Sequence, residues 1–314
     1  FKDKWGAMKY LIYIVISGSL TFLGCSDNDQ ASPKNDKDEG SSSSGLENYT
    51  ITHDGNERSY LIYTPEIYSE NQKVPLLFNF HGNGDTGARH ANIADFRPIA
   101  DTANFILVYP QGLYGDWNIS LPSDSQSKNR IDDLGFIDKM IEKISLEYNI
   151  DLTRIYAVGF SNGAGMAHAL AAASSTKIAA IASMAGNLYK HTAENSSPSP
   201  TAILSIHGLL DGQRPYSNES LTGGYWMNID NMHSYWVQKN GCNETPSTET
   251  FLSGGEVIDR IIFDQCIDGH SIEHFKVING DHYWLNFFYN NKPTNQVIWD
   301  FLSRFDLSGA LNKS

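Results

Sequence analysis

The chain has 314 residues, 40% of them hydrophobic, which is enough to bury one sizeable core as a single α/β domain with a tail. Its formal net charge is −13, and no basic stripe interrupts the acidic balance, which excludes a nucleic-acid partner held through its phosphates.

Met8-Lys9 reads as a start, followed by an apolar run from Tyr10 to Leu23 that has the shape of a signal peptide and is short for a membrane span. It ends in Leu20-Thr-Phe-Leu-Gly-Cys25, which resembles a bacterial lipobox. Residues 1–25 are therefore expected to be a signal peptide whose Cys25 receives a lipid anchor. Such an anchor places the protein in the cell envelope, at the outer membrane or cell surface, touching the membrane through lipid alone. Residues 26–45 are rich in Asp and Ser, cannot build a core, and are expected to form a disordered acidic tether. The folded domain is expected over residues 46–314. With Cys25 lipidated, Cys242 and Cys266 remain as an even pair that can bridge in an oxidising compartment, and two separate reduced thiols are the alternative.

Two β-rich runs, Tyr49 to His53 and Arg58 to Tyr63, flank Asp54-Gly55 and predict an antiparallel hairpin. Val74 to Phe80 and Phe105 to Tyr109 are more continuously apolar and predict buried strands. Asp132-Asp133 open a helix in which Phe136, Ile137, Met140, Ile141, Ile144 and Tyr148 keep three-and-four spacing, with the two acids as N-cap and first-turn residue. Ile155 to Val158, Ile178 to Met184, Ala202 to His207, Arg260 to Phe263 and Glu273 to Ile278 predict further strands, and Ile229 to Lys239 and Asn295 to Phe305 predict helices. Strands alternating with helices imply an α/β fold with a mostly parallel central sheet and helices on both faces.

One stretch carries chemistry. Gly159-Phe-Ser161-Asn-Gly163 follows a short β-branched run and precedes an alanine-rich helix, the pattern of a nucleophile elbow with Ser161 at its apex. Two glycines around a serine also occur in ordinary turns, so the weight rests on partners in the order serine, acid, histidine, each just past a strand. Asp211 lies on the loop after the strand ending at His207, and His282 lies on the loop after the strand ending at Ile278. Other acids between them (Glu219, Asp230, Asp259, Asp264, Asp268) and the histidines His270 and His274 lack that position. The oxyanion needs two backbone donors, assigned to Asn162, which follows the nucleophile, and Asn83 in the glycine-rich loop His81-Gly82-Asn83-Gly84. No metal-ligand spacing is present, and the chemistry needs no cofactor.

In ordered pieces from Tyr49 to Phe305 the chain resembles the feruloyl esterase and poly(3-hydroxybutyrate) depolymerase group of α/β-hydrolases, close to carbohydrate esterase family one. The pieces are His81-Gly82, Tyr109-Pro-Gln-Gly112 with Trp117-Asn118, Ile131-Asp-Asp-Leu-Gly-Phe136, the Ser161 elbow, His207-Gly208 with Asp211, Asn240-Gly-Cys242 and His282-Tyr-Trp284. The resemblance implies an α/β-hydrolase fold, a Ser161, Asp211 and His282 triad, and a Cys242 to Cys266 disulfide. It also makes Trp117 a pocket-side residue, while Tyr283 and Trp284 adjoin the histidine, so a ring is expected to stack there, with core packing as the alternative. The histidine loop departs from the family in having Asp281 before His282 and Leu285 after Trp284, which leaves the pocket rim open. The leading expectation is a lipid-anchored serine esterase acting on feruloyl or acetyl esters of plant polysaccharide. A polyester depolymerase is the alternative of the same chemistry, and an inactive glycan-binding lipoprotein is the alternative of another class.

Overall fold

In the computed structural model, residues 45–121, 131–173, 177–218, 220 and 223–311 are described, so Cys25, the signal segment and nearly all of the tether lie outside the described residues. Asp54 and Gly55 both take positive φ, 48° and 75°, which suits a two-residue turn matched to strand twist. They join β1 (Leu46–His53) to β2 (Asn56–Tyr63) as an antiparallel pair. There follow β3 (Val74–Phe80), α1 (Gly87–Ile93), α2 (Arg97–Ala103), β4 (Ile106–Pro110), α3 (Asp133–Glu147), β5 (Ile150–Phe160) and α4 (Asn162–Ala173). The second half holds β6 (Ala180–Met184), α5 (Lys190–Glu194), β7 (Ala202–Gly208), α6 (Ile229–Asn240), β8 (Ser247–Ser253), β9 (Glu256–Phe263), β10 (Ile272–Val277) and α7 (Thr294–Leu302).

Ten strands make one sheet in the order β1-β2-β4-β3-β5-β6-β7-β10-β9-β8. The six central strands, β4 to β10 in that order, run parallel. Antiparallel pairs finish each flank. Alternation along a strand sends side chains to opposite faces, and β5 divides accordingly: Ile155 and Ala157 pack with α3, α4 and α6, whereas Tyr156 and Val158 pack with α2 and α7. The sheet is thus covered on both faces, as its continuously apolar inner strands require. This is the α/β-hydrolase architecture.

Three sequence expectations change. The closing helix ends at Leu302, and Phe305 instead starts a short two-residue strand. β8 was not foreseen: it is an edge strand whose Ser247, Thr248, Glu249 and Thr250 are exposed, so it carries no apolar signal. Asp132 caps α3 through the Gly135 amide at 2.9 Å. Asp133, however, is a buried anchor as well as a first-turn acid: it holds Arg58 at 2.5 Å and the Asn118 amide at 2.7 Å. The Cys242–Cys266 disulfide is formed and ties the end of α6 to the loop after β9.

Candidate active site

Ser161 stands at the sharp turn between β5 and α4 with φ of 54°, a left-handed conformation that costs a non-glycine residue energy and persists where surrounding structure fixes it. Its amide donates to the Met184 carbonyl at 2.9 Å and its carbonyl accepts from Gly165 at 3.1 Å, which pins the turn. A β-carbon on Gly163 would lie 2.3 Å from the Phe80 carbonyl oxygen, so only glycine lets α4 start this close to β3.

Ser161, His282 and Asp211 come from three loops and form one hydrogen-bonded chain. His282 Nε2 lies 2.8 Å from Ser161 Oγ and His282 Nδ1 lies 2.8 Å from Asp211 Oδ2. A carboxylate only accepts, so the imidazole proton sits on Nδ1 and the bare Nε2 accepts the serine hydroxyl. Asp211 is buried; its Oδ1 accepts the amides of Gln213 at 2.9 Å and Arg214 at 2.7 Å. Burial acts to raise its carboxyl, but the hydrogen bonds from His282 and the Arg214 amide outweigh it and hold the group below the usual carboxylate range. The two loops are laced together, with Leu210 donating to the Gly280 carbonyl at 2.9 Å. Asp281, the departure from the family pattern, is exposed and accepts the His282 amide at 2.7 Å, so it shapes the histidine loop. The Phe160 ring centroid lies 5.1 Å from that of the imidazole.

The loop after β3 is locked by His81. Its Nε2 accepts the Gly112 amide at 2.9 Å, which leaves the proton on Nδ1 to donate to the Gly82 carbonyl at 2.7 Å. Burial lowers the His81 pKa and keeps the ring neutral for this double role. In a trans peptide the next amide points opposite to that carbonyl, so the Asn83 N–H faces away from the His81 ring. Among the described residues, neither the Asn83 nor the Asn162 amide donates to a protein acceptor. A β-carbon on Gly82 would lie 3.6 Å from the Ser161 β-carbon, which sets this loop beside the serine. Asn162 also opens α4, whose dipole favours negative charge at that end.

Beside the two asparagines opens a cavity of about 440 Å³, walled by Trp117, Tyr189, Arg214, Tyr225 and Trp226 among others. Trp117 is buried: its Nε1 donates to the His81 carbonyl at 3.0 Å, and its amide donates to Asn162 Oδ1 at 2.7 Å. It serves as wall and loop anchor together. Tyr283 is half exposed on the histidine loop and is not among the residues lining the cavity. Trp284 is core, with Nε1 donating to Asn295 of α7 at 3.0 Å. His270 donates from Nδ1 to the Ile267 carbonyl and His274 is buried against Ser205, both away from Ser161. Among the described residues one cluster, His53, Asp54 and Asp132, has atoms close enough to hold a metal ion. It sits at the β1–β2 turn, where Asp132 also caps α3. Sequence reasoning missed Arg214, Tyr225 and Trp226; only the place of Arg214 directly after the Asp211 turn offered a signal.

The sequence model of the phospholipase/carboxylesterase family matches residues 64–246. A bifunctional acetylxylan esterase/xylanase of Neocallimastix patriciarum is 26% identical over 269 residues, covering 83% of this chain and 35% of that protein. A probable feruloyl esterase C of Aspergillus clavatus is 26% identical over 194 residues, covering 60% of this chain and 64% of that protein. The chain thus spans less than two thirds of the length of either curated relative. The solved acetyl xylan esterase from Aspergillus awamori superposes with a TM-score of 0.62 at 14% identity, covering 82% of this chain and 98% of that one, a likeness of fold.

Proposed function

The chain belongs to the phospholipase/carboxylesterase family, and we propose that it is a serine esterase that cleaves feruloyl or acetyl esters of plant polysaccharide through an acyl-enzyme. The observation that carries the reading is the continuous Ser161–His282–Asp211 chain at the mouth of a helix N-terminus. Ser161 Oγ attacks the ester carbonyl while His282 Nε2 takes its proton. Asp211, ionised and fixed by two amides, stabilises the imidazolium that forms. Negative charge then develops on the carbonyl oxygen, where the free amides of Asn83 and Asn162 and the α4 dipole stabilise it. Collapse of this intermediate expels the alcohol, which takes the proton from His282, and water activated by the same imidazole releases the acid.

The substrate class is supported by the acetylxylan and feruloyl esterase names of the two relatives and by the aromatic walls of the cavity. Secretion and anchoring through Cys25 are part of the same proposal, supported by the Leu20 to Cys25 sequence and by a disulfide suited to an oxidising compartment. The test is initial rates on methyl ferulate, acetylated xylan, 4-nitrophenyl butyrate and a polyester film, with Ser161→Ala in parallel. Serine-dependent turnover of ferulate or acetylated xylan supports the reading. Turnover of the film or the butyrate alone moves the substrate to polyester, and no serine-dependent turnover leaves a glycan-binding protein. Labelled palmitate in wild type but not in Cys25→Ser checks the anchor.

A further inference from the structure

Arg214 follows Asp211 by three residues, and its backbone already serves the site: the amide donates to Asp211 Oδ1 at 2.7 Å and the carbonyl accepts from His207 Nε2 at 2.7 Å. Its side chain does something else. The guanidinium lies 3.7 Å from the Trp226 ring centroid and lines the cavity together with Asn83 and Asn162. Among the described residues no carboxylate or carbonyl accepts a hydrogen bond from it. Burial lowers its pKa to about 10, against the pull of Asp211 and Asp116, so it stays cationic at neutral pH. A half-buried cation without a hydrogen-bonded anion is costly, whereas a guanidinium paired with a carboxylate through two parallel bonds is strongly stabilised. Asp116 lines the same cavity, so the cavity is not a general anion attractor and selectivity must come from position.

We infer that Arg214 is a specificity-determining residue that receives a carboxylate of the substrate, so that the site prefers esters whose acyl or alcohol part carries an acid group. The inference rests on the esterase reading and narrows its substrate to acidic esters. Trp226 beneath the guanidinium holds the fork flat and offers an aromatic face to the ring or chain that bears the carboxylate. The anion does not react: it anchors the ester so that its carbonyl reaches Ser161.

The experiment compares kcat/KM within two pairs that differ by one carboxylate. 4-Nitrophenyl hydrogen glutarate beside 4-nitrophenyl valerate places the acid on the acyl side. Acetylated methyl glucuronoside beside acetylated methyl glucoside places it on the alcohol side. Wild type, Arg214→Leu and Arg214→Lys are measured, with thermal melts to check folding. In one pair the ratio of acidic to neutral ester is expected to fall about tenfold or more in Arg214→Leu and less in Arg214→Lys. The pair that responds identifies the side. Unchanged ratios in both pairs overturn the inference, and if Arg214→Leu does not fold, Arg214→Lys and Arg214→Gln decide by the same ratio. If wild type turns over none of the four esters, the esterase reading fails separately. Calorimetry with glucuronate and glutarate then decides the carboxylate site, expected to bind wild type and not the Arg214 variants, and overturned by equal binding or none.

Discussion

The Asp211 oxygen that receives His282 also lies 3.4 Å from His207 Nε2. His207 is buried, and burial pushes its pKa down to about 4 despite that neighbouring carboxylate. Its Nε2 proton is given to the Arg214 carbonyl, so a neutral His207 closes the turn that aims Asp211. His207→Phe removes that donor and leaves a part-buried carbonyl unpaired, a loss of about 1 kcal/mol. Chemical denaturation should report the loss, and kcat should fall more than KM rises because the ester itself does not touch His207.

The buried histidines make stability depend on acid. His207 is lowered from 6.5 to about 4, and His90, His168 and His233 from 6.5 to about 3, each mainly by burial. Between the folded and unfolded values the unfolded chain binds more protons, so stability is full above about 6.5 and falls as the pH drops through this window. His207 alone contributes a loss on the order of 3 kcal/mol by pH 4. Asp211, held low, adds a loss of the same sign at still lower pH. Urea midpoints should therefore drop steadily from pH 7 to pH 4; a flat profile would show that these rings take up protons equally in the folded and unfolded states, so that burial does not lower their pKa values.

Asp133→Asn should destabilise the fold by about 3–5 kcal/mol, because Arg58, itself buried and set over Phe136 at 3.9 Å, loses its carboxylate. Asparagine keeps one acceptor oxygen where Arg58 and the Asn118 amide each now have their own, so one of the two donors goes unpaired and the 117–118 wall of the cavity loosens. A raised KM beside a lowered melting temperature is the expected signature. A melting temperature within a degree of wild type would contradict the assignment of Asp133 as an anchor.

Asp133 also marks where the sequence stops being readable. Its neighbour Asp132 is a cap, a local role set by residues three positions away, and local rules predict it. Asp133 depends on Arg58, 75 positions earlier, and no spacing reports that. The Ser161 elbow, the Asp54-Gly55 turn and the inner strands were legible for the same reason that Asp132 was: glycine positions and apolar runs act over a few residues. Asp211 and His282 were legible because strand order puts the loop after each inner strand at one edge of a parallel sheet. Of the cavity wall only Trp117 was legible, through the family resemblance. Arg214, Tyr225 and Trp226 lie on loops without period, and β8 escaped because an exposed polar edge strand looks like linker.

The Cys242–Cys266 bridge closes a loop between positions 24 residues apart and should contribute about 3 kcal/mol by restricting the unfolded chain. Cys242→Ser with Cys266→Ser should lower the unfolding free energy by that amount, read as a lower urea midpoint, while leaving kcat on a small ester within about twofold, since the bridge does not line the cavity. An unchanged midpoint would mean that the loop is already held by packing in the unfolded ensemble.

The most direct measurement of the central claim is reaction with a fluorophosphonate followed by peptide mapping, because it reads the nucleophile without assuming a substrate. The account predicts one adduct per chain on Ser161, none in Ser161→Ala, and labelling slowed at least about a hundredfold in His282→Ala. An unlabelled folded protein, or an adduct on another serine, would contradict the assignment of Ser161 as an activated nucleophile.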